Sequence, residues 1–303
     1  MRWANLTDQD AVERLLTDTA PSVIVHLAAV IPPLIYRTRG LARKVNVDAT
    51  GILVRAAEAL PAPPRLVLAS SAAVYGSRNP HRTDELLTAD TPTRPGELYG
   101  GHKVEAEAHV RASKLPWVVL RLGGILSVDL SAMPMTADAL YLESALPADG
   151  RIHTVDVRDV ATAFAAATTA DVVGETLLIA GDESHKLRQS DVGPTLAAAR
   201  GAVGVLPAGR PGDPDKDDDW YVIDWMDTAR AQQALDFQRH SWPDMVAEMQ
   251  AGAGWQRYLL RLIAPVARLY LTRKSAYHNA PGQYADPWAA FRAKVGEPGV
   301  DTA

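Results

Sequence analysis

Tyr99 and Lys103 stand four residues apart in this 303-residue chain, and Ser71 precedes them by a turn-rich segment. On a helix, residues four apart share a face, one turn from each other. A free phenol has a pKa of about 10, too high for a base near neutrality. A neighbouring ammonium, and the cation of a bound cofactor, favour the phenolate and lower that value. A Ser hydroxyl across the gap can hydrogen-bond a substrate oxygen and steady charge as it develops there. These three residue types suit proton and hydride chemistry at a carbinol or carbonyl carbon. A loop serine beside a structural Tyr-Lys pair is the alternative.

The elements that must position them are legible. Arg65-Leu-Val-Leu-Ala69 is a short, branched, strand-like run closed by small polar residues. Ser70 and Ser71 are expected just past its C-terminal end, the edge of a parallel sheet where ligands bind. Tyr99 opens an amphipathic helical run. Met1 to Asn5 reads as a short strand, and a helix capped by Thr7 or Asp8 follows, with Ala11, Val12, Leu15 and Leu16 as its stripe. Val23–Leu27 is a strand, Leu41–Leu60 a helix, and Trp117–Arg121, Ile152–Val155 and Thr176–Ala180 are strands. Helices are expected over Asp156–Ala161, Asp191–Arg200 and Asp227–Phe237. Strands alternating with helices imply parallel βαβ units with right-handed crossovers.

Composition narrows the function classes. The chain is 47% apolar with a net charge of −5 and no cysteine. No basic stripe points to nucleic acid, and no disulfide framework, thiolate nucleophile or cysteine zinc site can form. The acidic run Asp213–Asp219 lacks calcium-loop spacing and reads as a solvated loop. No metal site is expected. The polar start carries no signal-peptide pattern, and no stretch reaches the roughly 18 apolar residues of a membrane span. A cytoplasmic location, with or without peripheral membrane contact, is the expectation.

Ser71, Tyr99 and Lys103, in the context Ser71-Ala-Ala-Val-Tyr-Gly76, resemble the extended short-chain dehydrogenase/reductase family of the NAD-dependent epimerase/dehydratase type. The resemblance implies a fold: α/β, a Rossmann-like doubly wound parallel sheet, N-terminally incomplete, with a smaller C-terminal substrate-binding region. It implies NAD or NADP as cofactor and a sugar-nucleotide or similar hydroxylated substrate. Tyr99 would be acid/base, Lys103 would lower its pKa and hold the cofactor ribose, and Ser71 would orient the substrate oxygen.

Other segments carry the likeness further. Asn5-Leu6-Thr7-Asp8 is similar to the segment beside the adenine, although the family usually carries Asp where Asn5 stands. Leu27, Ala28 and Ala29 match the small-residue turn that passes the dinucleotide, and Ala69 and Ser70 the strand end facing it. Asn46 matches an Asn that orders the active-site helix and proton path, with a solvent-facing helix residue as the alternative. Gly123 and Gly124 stand where the family places Asn or Pro near the nicotinamide; they either allow close backbone approach or make a tight turn. Arg158 and Asp159 are expected to be structural.

The family's Gly-x-x-Gly-x-x-Gly turn, which holds the pyrophosphate, does not precede Ser70. The chain is expected to begin near the family's third strand. Either Met1 is an internal start of a longer protein, the favoured expectation, or dinucleotide binding has been lost and the chain is a binding or scaffold protein. The expected organisation is a partial dinucleotide-binding domain over 1–127, a mixed substrate-binding region with returning Rossmann elements over 128–252, and a helical extension and tail over 253–303. In residues 255–271, Tyr258, Leu262 and Leu269 share one side and Arg257, Arg261 and Arg268 another, with Pro265 kinking or dividing the run. The readings for this run are a docked helix or an interfacial membrane helix. A homodimer is compatible with the resemblance.

Overall fold

The computed structural model describes residues 2–129, 137–221 and 224–301. Residues 2–5 form no strand, contrary to the sequence expectation: no neighbouring strand offers them a ladder, and Asn5 instead opens the turn into the first helix. That helix, α1 (Gln9–Thr19), is capped by Asp8, whose carboxylate accepts from the Ala11 amide, and it buries Val12 and Leu16. β1 (Val23–His26) follows. Two short helices, α2 (Leu34–Arg37) and α3 (Arg39–Arg43), lead through a single π-turn over Lys44–Asp48 into α4 (Ala49–Glu58). The long helix expected over 41–60 is therefore present, with one wide turn inside it.

β2 (Arg65–Ser71) runs through both serines, so they end the strand rather than follow it. A 3-10 turn, Ala72–Tyr75, comes next. α5 (Leu98–Arg111), β3 (Trp117–Leu122), β4 (Gly124–Leu126), α6 (Ala137–Ala145), β5 (Arg151–Asp156), α7 (Val157–Ala167), β6 (Thr176–Ile179) and β7 (Lys186–Arg188) continue the chain. It ends with α8 (Gln189–Ala199), α9 (Ala229–Leu235), α10 (Trp242–Gly252), α11 (Gln256–Lys274) and α12 (Pro287–Val295).

Four parallel strands make the main sheet in the order β1-β2-β3-β6. Side chains alternate across a strand, and both faces of β2, β3 and β6 are covered, while Val25 on β1 stays exposed. Leu66, Leu68 and Val119 pack under α1, α4 and α5. Val67, Ala69, Val118, Leu120 and Leu177 pack under α7 and α9. Cover on both sides explains why the strands read as nearly unbroken apolar runs. A second small sheet joins β4 parallel to β5 and β5 antiparallel to β7.

α11 is one helix of 19 residues with Pro265 inside it. Proline forfeits one backbone bond but does not divide the run. Among the described residues no helix is long and apolar enough to cross a membrane. α12 packs against α6, and the residues after it return to the start of α5: the Leu98 amide donates to the Pro298 carbonyl at 2.9 Å.

Candidate active site

The site forms where β2 ends and α5 begins. Ser71 Oγ accepts from the Ala73 amide at 3.2 Å, which caps the following turn. Its own proton has no partner among the described residues. α5 is seated against that turn because residue 100 is glycine: a Cβ there would collide with the Ala73 carbonyl. The start of α5 is capped by Glu97, whose carboxylate accepts from the Tyr99 amide at 2.7 Å and the Gly100 amide at 2.5 Å. Ser71, Tyr99 and Lys103 thus ride on one tightly packed junction.

Lys103 points inward. Its ammonium donates to the Ala69 carbonyl at 2.7 Å, lies 5.5 Å from the Tyr99 ring centroid, and is 4% exposed. Burial lowers its pKa to about 8, with Glu107 opposing the shift. Tyr99 is half-buried, and its hydroxyl has no hydrogen-bond partner among the described residues. Burial first, and then the charge of Glu97, raise the Tyr99 pKa above that of a free phenol. The sequence led to the opposite sign. The reason is burial: away from water the phenolate is disfavoured, and the Glu97 carboxylate adds to that cost. At neutral pH Tyr99 is therefore a protonated phenol.

Asn46 does not face solvent. Buried in the π-turn, it accepts from the Val30 amide at 2.7 Å and donates to the Val30 carbonyl at 2.9 Å. That pair of bonds fixes the turn after β1, where Ala28 and Ala29 are half-buried and Leu27 is 59% exposed. The wide turn leaves the Asn46 carbonyl to the Thr50 hydroxyl, 2.9 Å away, and Thr50 Oγ lies 3.0 Å from His26 Nε2. Burial and then the Lys103 charge lower the His26 pKa to about 4, so this imidazole is neutral.

Five further residues singled out in the sequence make contacts within the protein itself. Ser70 turns away from the strand end into the core, where its hydroxyl donates to Glu107 at 2.5 Å. Glu107 is held in a bidentate pair with Arg121, at 2.9 and 2.8 Å. Gly123 and Gly124 lie close against neighbouring parts of the chain. A Cβ on Gly123 would strike the His153 carbonyl of β5, and one on Gly124 would lie 3.2 Å from Ile152. Asn5 spends its side-chain oxygen on the Thr7 amide and hydroxyl. Leu6 leans on the core beneath α1 and α4.

Two groups escaped the sequence reading. Glu97 is 1% exposed and receives the Tyr36 hydroxyl at 3.1 Å; Tyr36 in turn meets the Tyr221 hydroxyl at 2.7 Å. Burial raises the Glu97 pKa to about 7 against three opposing hydrogen bonds. His26 is the other. The only available signals were an acidic residue at a helix start and a histidine ending an apolar strand.

A dinucleotide can be tested against these residues. The small, half-buried Ala28 and Ala29, the free Ser71 proton, the free Tyr99 hydroxyl and the buried Lys103 ammonium fit its ribose and nicotinamide end. Among the described residues the glycines before β2, Gly40 and Gly51, both lie in helices, so no glycine-rich strand-to-helix turn adjoins β1.

Residues 1–180 match the family described as the NAD dependent epimerase/dehydratase family. The chain is 35% identical over 145 residues to methionine adenosyltransferase 2 subunit beta of Rattus norvegicus, covering 46% of this chain and 41% of that protein. It is 34% identical over 97 residues to D-erythronate dehydrogenase of Cupriavidus necator, covering 32% and 29%. These matches span less than half the length of either relative. A short-chain dehydrogenase/reductase superfamily protein from Agrobacterium tumefaciens with bound NAD superposes with a TM-score of 0.61 at 24% identity, covering 84% of this chain and 85% of that one. UDP-glucose 4-epimerase from Thermotoga maritima with UDP-glucose gives 0.64 at 17% identity, covering 84% of each. At these identities the likeness establishes a shared Rossmann-like fold.

Proposed function

Because the chain belongs to the NAD dependent epimerase/dehydratase family, we propose that it is an oxidoreductase of the epimerase/dehydratase type. It acts at a carbinol or carbonyl carbon of a sugar-nucleotide or similar hydroxylated substrate, with Tyr99 as acid/base. The observation that carries this reading is the Lys103 ammonium, buried between the Ala69 carbonyl and the Tyr99 ring. Holding a charge away from water is costly, and such groups cluster where chemistry is done.

Each residue then has a task. Ser71 donates its free proton to the substrate oxygen and keeps it beside Tyr99. Tyr99, a phenol at rest, gives its proton to that oxygen as negative charge gathers there, and takes it back in the reverse direction. Lys103 stabilises the phenolate that remains. Asn46 holds the Val30 turn in place, so that Ala28 and Ala29 keep their backbone against the ligand. When bound, the reduced cofactor would supply the hydride in the direction in which Tyr99 gives its proton, and NAD would accept it, its positive ring favouring the phenolate, in the direction in which Tyr99 takes the proton back. Ala28, Ala29, Ser71, Tyr99 and Lys103 would hold its ribose and nicotinamide end. Residues 128–252 would supply most of the contacts to substrate.

A second reading has its own support: the rat relative is named as a subunit of a methionine adenosyltransferase, and no glycine-rich turn adjoins β1 among the described residues. On that reading the chain binds a partner without doing chemistry. Two measurements separate the readings. Titrating NAD against the chain, followed by protein fluorescence, should show saturable binding. Among nucleotide sugars and hydroxy acids offered with NAD, one should turn over, and Tyr99→Phe should lower that rate roughly 10²–10⁴-fold with an unchanged circular dichroism spectrum. Undiminished turnover in Tyr99→Phe would remove the proposed acid/base, and absence of NAD binding would favour the partner-binding reading.

A further inference from the structure

α11 carries two properties that the chemistry at Tyr99 does not use. Its outward face is apolar from Tyr258 to Tyr270. Leu262 is 77% exposed, Val266 74% and Tyr258 60%, and Leu259, Leu269 and Tyr270 are more than half exposed beside them. These residues recur at spacings of three and four, so they form one continuous stripe. Ala264, on the opposite side, is the buried point at which the helix rests on the protein. The inner side is further fixed where Gly201 abuts the backbone at Arg257 and where Ser144 and Ala145 receive hydrogen bonds from Ala276 and Tyr277 just beyond the helix.

The second property is charge. Gln256–Lys274 contains Arg257, Arg261, Arg268, Arg273 and Lys274, all exposed, and no Asp or Glu. This occurs in a chain whose net charge is −5. A helix that simply capped a core would need neither the outward stripe nor the one-sided charge. A contiguous exposed apolar face of this kind marks an interaction surface.

We propose that α11 is a membrane-surface helix, which lays its apolar stripe into the interface of an anionic lipid bilayer. The charge selects this occupant. A second copy of the chain set face to face would bring five cations against five cations with no acid on either helix. An anionic headgroup layer supplies the missing negative charge, and the acyl region accepts the stripe. Aromatic side chains such as Tyr258 and Tyr270 suit the boundary between the two. The helix lies in the surface rather than crossing it, since Pro265 and five cations interrupt any span. The inference is independent of the Tyr99 chemistry.

The test uses the full chain and vesicles of phosphatidylcholine, with and without phosphatidylserine, in a co-sedimentation assay. The chain is expected to sediment with the vesicles that contain phosphatidylserine and to stay in the supernatant with phosphatidylcholine alone. Added salt should weaken the association, and Arg261→Gln should cost roughly fivefold in affinity, the worth of one cation near such a surface. Leu262→Asp combined with Val266→Asp should abolish sedimentation. Both positions are exposed, so the melting temperature of that variant should match the parent. Failure to sediment with anionic vesicles overturns the proposal, as does binding that survives the double variant. A parent that forms dimers which the double variant dissolves, with no vesicle binding by either, overturns it in favour of self-association.

Discussion

Lys103 concentrates the electrostatics of the site. Its ammonium is nearly free of water, yet it keeps one strong acceptor, the Ala69 carbonyl at 2.7 Å. Burial lowers its pKa to about 8 and, through its charge, Lys103 helps burial lower that of His26 to about 4. On the proposed mechanism the ammonium form is the working one. The alkaline limb of kcat/KM should therefore fall near pH 8, with Lys103 losing its proton as pH rises. Lys103→Met keeps the length of the side chain and removes the charge. It should abolish turnover and raise the His26 pKa, because a cation that opposed imidazolium is gone. Proton NMR of the His26 ring in that variant checks the second outcome; an unmoved His26 would mean that the two groups do not sense each other. Tyr99 marks the limit of sequence reading at this scale. Its spacing from Lys103 was readable, but the sign of its pKa shift depended on Glu97 and on burial, neither of which follows from a four-residue interval.

At the level of elements, the position of α5 decides whether the three side chains meet. Two features set it: the Glu97 cap and the missing side chain at Gly100. Replacing Gly100 by alanine would force a methyl into the Ala73 carbonyl. Overpacking of this kind costs about 1–3 kcal/mol, and here the strain would fall on the turn that carries Ser71. Gly100→Ala should thus lower the urea midpoint and depress kcat more than a substitution of equal destabilisation far from the site. An activity loss no larger than that of the distant control would show that the junction does not govern the chemistry. The strands and helices themselves were legible because β2, β3 and β6 are covered on both faces, which leaves apolar runs and helical stripes in the sequence. What was not legible follows from partners distant in sequence. Ser70 and Ser71 both belong to β2, so their side chains leave on opposite faces; only the Glu107–Arg121 pair reveals which one is taken inward. Gly123 and Gly124 answer to β5, about thirty residues later. The π-turn at Asn46 adds one residue to its turn and buries Asn46 and Val47 where regular helical spacing pointed to Val45.

For the molecule as a whole, the buried Glu97 links the start of α5 to three regions far apart in the chain. Tyr36 donates to it from α2, Tyr221 joins that hydroxyl, and Gly299 pairs with its backbone from the C-terminal segment. Tyr99 packs in the same cluster. The titratable side chains in direct reach are therefore tyrosines with raised pKa values, which stay neutral across the acid and neutral range. Burial lifts the Glu97 pKa from 4.5 to about 7. The folded state thus holds a proton that the unfolded chain has already released between those values. Stability from this group is complete below about pH 4.5 and is lost as pH rises through about 7. A shift of that size corresponds to a loss on the order of 3 kcal/mol. Glu97→Gln keeps an acceptor oxygen for one of the Tyr99 and Gly100 amides, which reach different oxygens of Glu97, and it cannot ionise. The difference in unfolding free energy between variant and parent, measured by urea titration, should then grow in favour of the variant from pH 5 to pH 8. His26 and Lys103 titrate in both proteins and cancel in that difference. A difference that stays flat with pH would place Glu97 as an ordinary ionised cap, and the raised pKa derived from its burial would be wrong.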